Sequence, residues 1–339
     1  MEKFKIVTYN SSVGSDKAEV ELAVLGRGGK DDYIHIHVPT GDDEAFYREA
    51  ADADGICAWT PMGLEEYKKL EKCKIIVAPA IGADRFELSG ATECGIAIAN
   101  VPDYCGEDVA FHTVALMLDC VKKITFFDRS VREGKWDSKG CGKAYRMTGK
   151  VYGLASFGRI PQRVMEMMTP FGVSFAAYDP FVPDEVFEKF GVKRAETLEK
   201  LFEMSDYVSV HTPYMPATHH IIGEKQLSCM KDGGIVVITG RGGVVDEDAL
   251  LKALNSGKLS AVGTDVIEDE VTNKSVLMDH PAVVMTPHCG FYTEDASVSL
   301  KTQVMEQIID TLRTGEPPKH LLNKDVLGKA RFEKQLVIG

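Results

Sequence analysis

The sequence predicts an α/β protein of two doubly wound parallel-sheet domains, and three observations carry that prediction. Its 339 residues exceed an ordinary single domain of about 100–150 residues. Short apolar runs rich in Val, Ile and Tyr alternate with longer amphipathic stretches, the pattern of parallel sheets with helices on both faces. The runs are apolar at nearly every position, as strands covered on both sides must be.

In chain order the strand-like runs are Lys5 to Tyr9, Tyr33 to Val38, Gly55 to Trp59 and Lys74 to Pro79, then Val151 to Ser156, Val173 to Asp179, Tyr207 to His211, Gly234 to Thr239, Ala261 to Val266 and Val283 to Thr286. Between the two groups, Val109, His112, Thr113, Leu116, Met117 and Cys120 recur at helical spacing and predict a long helix with a buried stripe of no evident chemistry. Asp246 to Ser256 predicts a helix stopped by Gly257. The last helix, Asp295 to Arg313, ends before Gly315, Pro317 and Pro318; its pattern demands a buried face without saying which sheet receives it.

A hydrophobic content of 44% and a charged content of 27% suit a globular protein, and no repeat suggests a solenoid. The net charge of -12 argues against nucleic-acid or anionic-membrane partners, which need clustered Lys and Arg. The eight cysteines form no C-x-x-C pair and no zinc-type spacing with His, so no metal is expected and the thiols should be free in a reducing cytosol. The chain opens without the apolar core of a signal peptide and holds no uninterrupted apolar run of about 18 residues. A cytoplasmic location follows as an expectation.

The second group of runs opens on a strand, a loop and a helix. Val151 to Ser156 leads into Phe157-Gly158-Arg159-Ile160-Pro161, then helical Val164 to Met168, then a second strand ending at Asp179. This is the βαβ context of a dinucleotide site, although the three-glycine fingerprint here reads Ser156, Gly158 and Pro161. The surviving middle glycine is the one that lets the backbone approach a pyrophosphate. Ser156 has to make the tight turn with a side chain, and Pro161 falls in the first helical turn, where a missing N–H costs little. Alone, the loop is as compatible with a structural turn. Asp179, about 20 residues on, stands where a carboxylate accepts from adenine-ribose hydroxyls, or where Asp-Pro simply turns the chain.

Four further segments narrow the reading: Asn100-Val-Pro-Asp-Tyr-Cys-Gly-Glu-Asp-Val-Ala, Arg241-Gly-Gly-Val-Val-Asp-Glu-Asp-Ala-Leu, Asp265-Val-Ile-Glu-Asp-Glu270 and Thr286-Pro-His-Cys-Gly-Phe-Tyr-Thr-Glu. In order and spacing the chain resembles the D-isomer-specific 2-hydroxyacid dehydrogenase family over nearly its whole length. Its Asn-Val-Pro-Asp-Tyr-Cys and Pro-His-x-x-x-Tyr wording is similar to the subgroup related to the C-terminal-binding proteins. The resemblance implies an NAD-binding Rossmann domain (residues 102–294) inserted into a flavodoxin-like substrate domain (residues 1–101, completed by 295–339). It implies a homodimer joined through the insert, with the helix near Val109 to Val121 at the interface.

The resemblance also places catalytic residues at Arg241, Glu270 and His288. It places cofactor contacts at Ser156, Gly158, Arg159, Ile160, Asp179, His211, Pro213, Thr239 and Asp265, the last facing the nicotinamide carboxamide. Substrate-carboxylate contacts fall on the backbone of Ile81, Gly82 and Ala83, together with Arg241. The chemistry explains the residue types. A 2-oxo acid offers a carboxylate beside a ketone, which the planar guanidinium fork grips while polarising the carbonyl. Reduction leaves an alkoxide-like oxygen that an imidazole can protonate, and a neighbouring carboxylate fixes its tautomer. Singly, an Arg before Gly-Gly, a Glu in an acidic run and a His at a strand end are ordinary surface residues; together, each follows a predicted strand, where open α/β sheets bind ligands.

Departures from the family pattern are Ile238 for an Asn, Val271 for a Pro and Phe111 for an acidic residue, beside Ser156 and Pro161. The expected activity is hydride transfer between NAD(H) and a small 2-oxo acid/(R)-2-hydroxy acid pair. The alternative is an NAD(H)-sensing, corepressor-like interaction protein with little turnover. Trp59, Thr60, Pro61 and Met62 are candidates for lining an uncharged substrate side chain. Cys289 follows His288 directly and is expected to pack inward rather than react.

Overall fold

In the computed structural model the described residues are 3–9, 19–27, 32–39 and 41–335. They divide into two compact units, residues 1–105 with 292–339, and residues 106–291.

The first unit contains β1 (Phe4–Tyr9), β2 (Tyr33–Val38), β3 (Gly55–Ala58), β4 (Ile75–Val77) and β5 (Ala97–Ala99). They form one parallel sheet of order β2-β1-β3-β4-β5, the flavodoxin-like winding. Ile6, Val7, Ile56, Ile75, Ile76 and Val77 are wholly buried, as their unbroken apolar runs require. β5 escaped the sequence reading because two of its three residues are alanines, which favour strands little. It forms through a distant partner: Asn323 Oδ1 accepts from Ile98 N–H at 2.8 Å and its Nδ2 donates to Ile96 O at 2.9 Å.

The helix Glu294–Thr314 belongs to this unit. Thr293 Oγ1 caps it by accepting from Ala296 N–H, and Gly315 ends it at φ +70°. Leu300, Val304, Met305, Ile308 and Leu312 pack with Ile6, Cys57 and Ile75 in one core. At Gly55 a Cβ would stand 2.5 Å from Ile308 Cγ2, so glycine is what admits the helix to β3.

The second unit contains β6 (Val151–Ala155), β7 (Ser174–Tyr178), β8 (Lys193–Arg194), β9 (Tyr207–Val210), β10 (Gly234–Ile238), β11 (Leu259–Thr264) and β12 (Val283–Met285). All pair parallel, in the order β12-β11-β10-β9-β6-β7-β8. The order reverses between β6 and β9, the topological switch point at which such sheets open a crevice beyond their carboxyl ends. β8 was missed because it is two exposed charged residues, a short edge strand protected by its charges. The helix Gly106–Lys122 buries Ala110, Val114, Leu116, Met117 and Cys120 against one face, with Tyr152, Leu154, Val237 and Ala261.

Several predicted runs extend past their strands: Ser156, Asp179, His211, Thr239, Asp265 and Thr286 each lie one residue beyond the last strand residue. At those positions the chain leaves the ladder, so their side chains stand at the carboxyl rim of the second sheet.

Candidate active site

At the β6 end, Ser156 takes φ +86°, a conformation L-residues rarely adopt and glycine adopts freely. Its N–H donates to Tyr178 O at 2.8 Å. Asp179, 8% exposed, braces the turn: Oδ2 accepts from Ser156 Oγ at 3.1 Å and Phe157 N–H at 2.9 Å, while Oδ1 accepts from Phe181 N–H at 2.9 Å. Gly158 caps the helix Arg159–Met168, and a Cβ there would meet nothing within 4 Å. Pro161 is buried in the first turn. An open glycine at a helix N-terminus, with a carboxylate at the end of the next strand, is a donor and acceptor set that fits a dinucleotide.

β8 adds a residue that no local window reveals. Arg194 Nη2 donates to Asp179 O at 3.3 Å, and its Nη1 pairs with Asp184. A guanidinium therefore holds the backbone of the residue whose carboxylate is expected to read the ribose.

The ends of three neighbouring strands, β10, β11 and β12, supply Arg241, Glu270 and His288. His288 Nδ1 lies 2.9 Å from Glu270 Oε1 and 3.0 Å from Oε2. A carboxylate only accepts, so Nδ1 carries the hydrogen and Nε2 is the other, chemically available nitrogen. Both side chains are partly exposed, at 38% and 43%. Arg241 Nη1 donates to Gly240 O at 2.9 Å, and among the described residues the guanidinium has no carboxylate partner. Gly242 is obligatory: a Cβ there would fall 2.0 Å from Ile267 O, so the Arg241 loop rests directly on the segment leading to Glu270.

His288 itself takes φ +51°. Its N–H donates to Asp265 O at 2.8 Å, and the Asp265 carboxylate gathers the residues on either side. Oδ1 accepts from Thr286 Oγ1 at 2.6 Å and Cys289 N–H at 2.9 Å, and Oδ2 from Gly290 N–H at 2.8 Å. Asp265 is 3% exposed. Burial pushes its carboxyl up, but the hydrogen bonds from His112, Thr286, Gly290 and Cys289 outweigh burial and hold it below the usual carboxylate range. Burial and the Asp265 carboxylate together push the Cys289 thiol up, so it is a poor source of thiolate. His112, Asp265 and Cys289 bring ligand types within 4.8 Å of one another, yet the hydrogen bonds on Asp265 make this a loop clamp rather than an open ligand set.

Thr239 Oγ1 lies 2.8 Å from Thr113 Oγ1 and 3.5 Å from His211 Nδ1. Burial pushes the His211 imidazole down to about 3, so it is neutral at ordinary pH. Pro213 lies in the exposed loop that follows. Ile81, Gly82 and Ala83 belong to the first unit, after β4, with Ile81 O accepting from Asn100 Nδ2 at 2.6 Å. Trp59 stands there beside Phe86, with the Arg85 guanidinium 5.1 Å above its ring. The sequence reading treated His112 and Thr113 as members of an uninformative stripe; both instead hydrogen-bond to the loops of the site.

Residues 114–290 match the family model for the D-isomer specific 2-hydroxyacid dehydrogenase NAD binding domain. The chain is 36% identical over 302 residues to D-3-phosphoglycerate dehydrogenase of Methanocaldococcus jannaschii, an alignment covering 88% of this chain and 57% of that one. It is thus similar to little more than half of that relative. It is 38% identical over 244 residues to hydroxypyruvate reductase of Thermotoga maritima, covering 70% of this chain and 78% of that one. Among solved structures, D-2-hydroxyisocaproate dehydrogenase superposes with a TM-score of 0.81 at 25% identity, over 94% of this chain and all of that one.

Proposed function

The chain belongs to the D-isomer specific 2-hydroxyacid dehydrogenase family, and from that membership we propose that it interconverts a small 2-oxo acid and its (R)-2-hydroxy acid with NAD(H). The observation that carries the reading is the His288–Glu270 pair at 2.9 Å on strand ends adjoining that of an Arg241 without a carboxylate partner. Its relatives named above are dehydrogenases and a reductase, which supports turnover over the NAD(H)-sensing alternative.

The β6 loop, with Ser156, Gly158, Arg159 and Ile160, would hold the pyrophosphate, and Asp179 would accept from the ribose hydroxyls. His211, Pro213, Thr239 and Asp265 would border the cofactor further along the rim, Asp265 toward its carboxamide. Bound there, NADH supplies the hydride that reduces the substrate carbonyl carbon. Arg241 orients the substrate by its carboxylate and polarises the ketone. His288 gives a proton from Nε2 to the substrate oxygen during reduction and takes it back in oxidation. Glu270 keeps Nδ1–H engaged, so Nε2 stays the working nitrogen.

The active species is a homodimer, supported by apolar surface on the second unit: the helix Ile124–Arg132 buries no residue within the chain, and Phe111 and Trp136 are 67% and 92% exposed. Sedimentation measures this directly. A cytoplasmic setting belongs to the same reading; no described helix is long and apolar enough to cross a membrane.

The test is loss of NADH absorbance with glyoxylate, hydroxypyruvate, pyruvate, 2-oxoisocaproate and phenylpyruvate. Turnover of at least one is expected; NADH binding without turnover of any favours the sensor. His288→Asn should lower kcat about 10²- to 10⁴-fold, the usual worth of general acid catalysis, with the NADH Kd unchanged. A kcat within a few-fold of the parent removes His288 from the mechanism.

A further inference from the structure

We infer that His112 and Thr113, neighbours on the helix Gly106–Lys122, are positioning residues that hold the His288 and Arg241 loops respectively. The inference rests on the catalytic reading of those two residues and adds the groups that aim them.

Hydrogen-bond directions can be assigned without seeing a hydrogen. Thr286 Oγ1 lies 2.6 Å from Asp265 Oδ1, and a carboxylate accepts, so the Thr286 hydroxyl donates there. Its oxygen then accepts from His112 Nε2, 2.9 Å away, which makes Nε2 the protonated ring nitrogen of His112. The same Nε2 lies 3.4 Å from Asp265 Oδ1. Asp265 in turn receives the N–H groups of Cys289 and Gly290, while its backbone oxygen receives that of His288. One helix side chain thus braces the carboxylate that holds His288 at positive φ. Gly290 shows how tightly the parts are fitted: a Cβ there would lie 2.9 Å from Asp265 Oδ2 and 3.2 Å from His112 Cδ2.

The second arm follows the same logic. Thr113 Oγ1 donates to Val109 O at 2.8 Å, leaving its oxygen to accept from the Thr239 hydroxyl at 2.8 Å. Thr239 lies two residues before Arg241, at the point where β10 gives way to the loop. Both contacts come from a helix packed on the sheet core, and groups held on rigid elements keep a reacting geometry better than groups held by loops alone.

His112→Leu removes the donor, whereas His112→Gln can place an amide N–H close to the position of Nε2. In the whole chain, His112→Leu should lower kcat about 10- to 100-fold, the scale of a misplacement near 1 Å, leaving the KM for NADH within twofold. His112→Gln and Thr286→Ser should recover most of the rate, and Thr286→Val should not. The double variant His112→Leu/Thr286→Val should be no slower than the worse single one, because both break one chain of bonds. Thr113→Val should act mainly on the KM for the 2-oxo acid, through Arg241. The Thr286 pair carries the same test should His112→Leu fail to fold. Equal losses in the Leu and Gln variants, or additive losses in the double, overturn the inference. So does a His112→Leu rate within twofold of an active parent, while a parent that turns over no 2-oxo acid breaks the functional reading instead.

Discussion

Asp179 and Asp265 stand one residue beyond two parallel strands of the same sheet, β7 and β11, and each is almost fully buried. Each collects N–H and O–H donors around a residue other than glycine at positive φ, Ser156 at +86° and His288 at +51°. Such conformations cost about 1–3 kcal/mol and persist where the surroundings over-determine them. The two clamps gather the same number of close donors and differ in where those donors come from. On Asp265, Oδ1 has two donors within 3 Å and His112 at 3.4 Å, with helix support behind it. On Asp179, Oδ2 has two donors and Oδ1 one, all from its own turn and the loop after β6. The clamp backed by a helix side chain therefore holds its loop more firmly than the one backed only by its own turn.

Asp265→Asn should break the helix-backed clamp and have the largest effect. The amide turns one acceptor into a donor facing donors, and leaving a buried group unsatisfied costs about 1–3 kcal/mol, more where a charge is lost. Urea unfolding should show a loss of about 3 kcal/mol at pH 7, and kcat should fall about 100-fold as His288 loses its support. The pH dependence supplies a sign. Because the folded-state value lies below the unfolded one, the stabilisation is complete above about pH 4 and lost as pH falls through the folded value. Parent and variant stabilities should therefore converge in acid; a constant gap down to pH 2 contradicts the clamp.

Asp179→Ala tests the second carboxylate, and its effect should fall on cofactor choice. Charged hydrogen bonds are worth about 1.5–3 kcal/mol, so the preference for NADH over NADPH should shrink about 100-fold in kcat/KM. Arg194, bonded to the Asp179 backbone oxygen, sharpens this expectation, since a guanidinium nearby favours a phosphate once the repelling carboxylate is gone. Fluorescence titration should then show NADPH binding tighter than in the parent, and Asp179→Ala/Arg194→Ala should lose that gain. An unchanged cofactor ratio would reduce Asp179 to a turn residue.

Ser156→Gly should have the smallest effect. Glycine removes a strain of about 1–2 kcal/mol but also removes the Oγ hydrogen bond to Asp179, worth about 0.5–1.5 kcal/mol, and makes the unfolded chain more flexible. The terms oppose one another, so unfolding free energy should change by less than about 1 kcal/mol. A change above about 2 kcal/mol in either direction would show that one of those terms dominates the turn.

Ten apolar runs, the long helices and the residue types at Arg241, Glu270 and His288 were legible in the amino-acid sequence, because periodicity and local wording are properties of neighbours along the chain. The rim positions of Ser156, Asp179 and Thr239 were legible for the same reason, a strand run giving way to a polar residue. Tertiary structure alone decided that the helix Glu294–Thr314 packs on β3 beside Gly55, that Ala97–Ala99 is a strand, and that Arg194 stands beside Asp179. It alone brought His112 to Thr286 across 174 residues and Thr113 to Thr239 across 126. A buried stripe at helical spacing announces that a face is covered, but the atoms covering it come from other strands. Whether a His or Thr in that stripe is packing or a hinge pin is therefore set by which donors and acceptors the folded sheet presents to it.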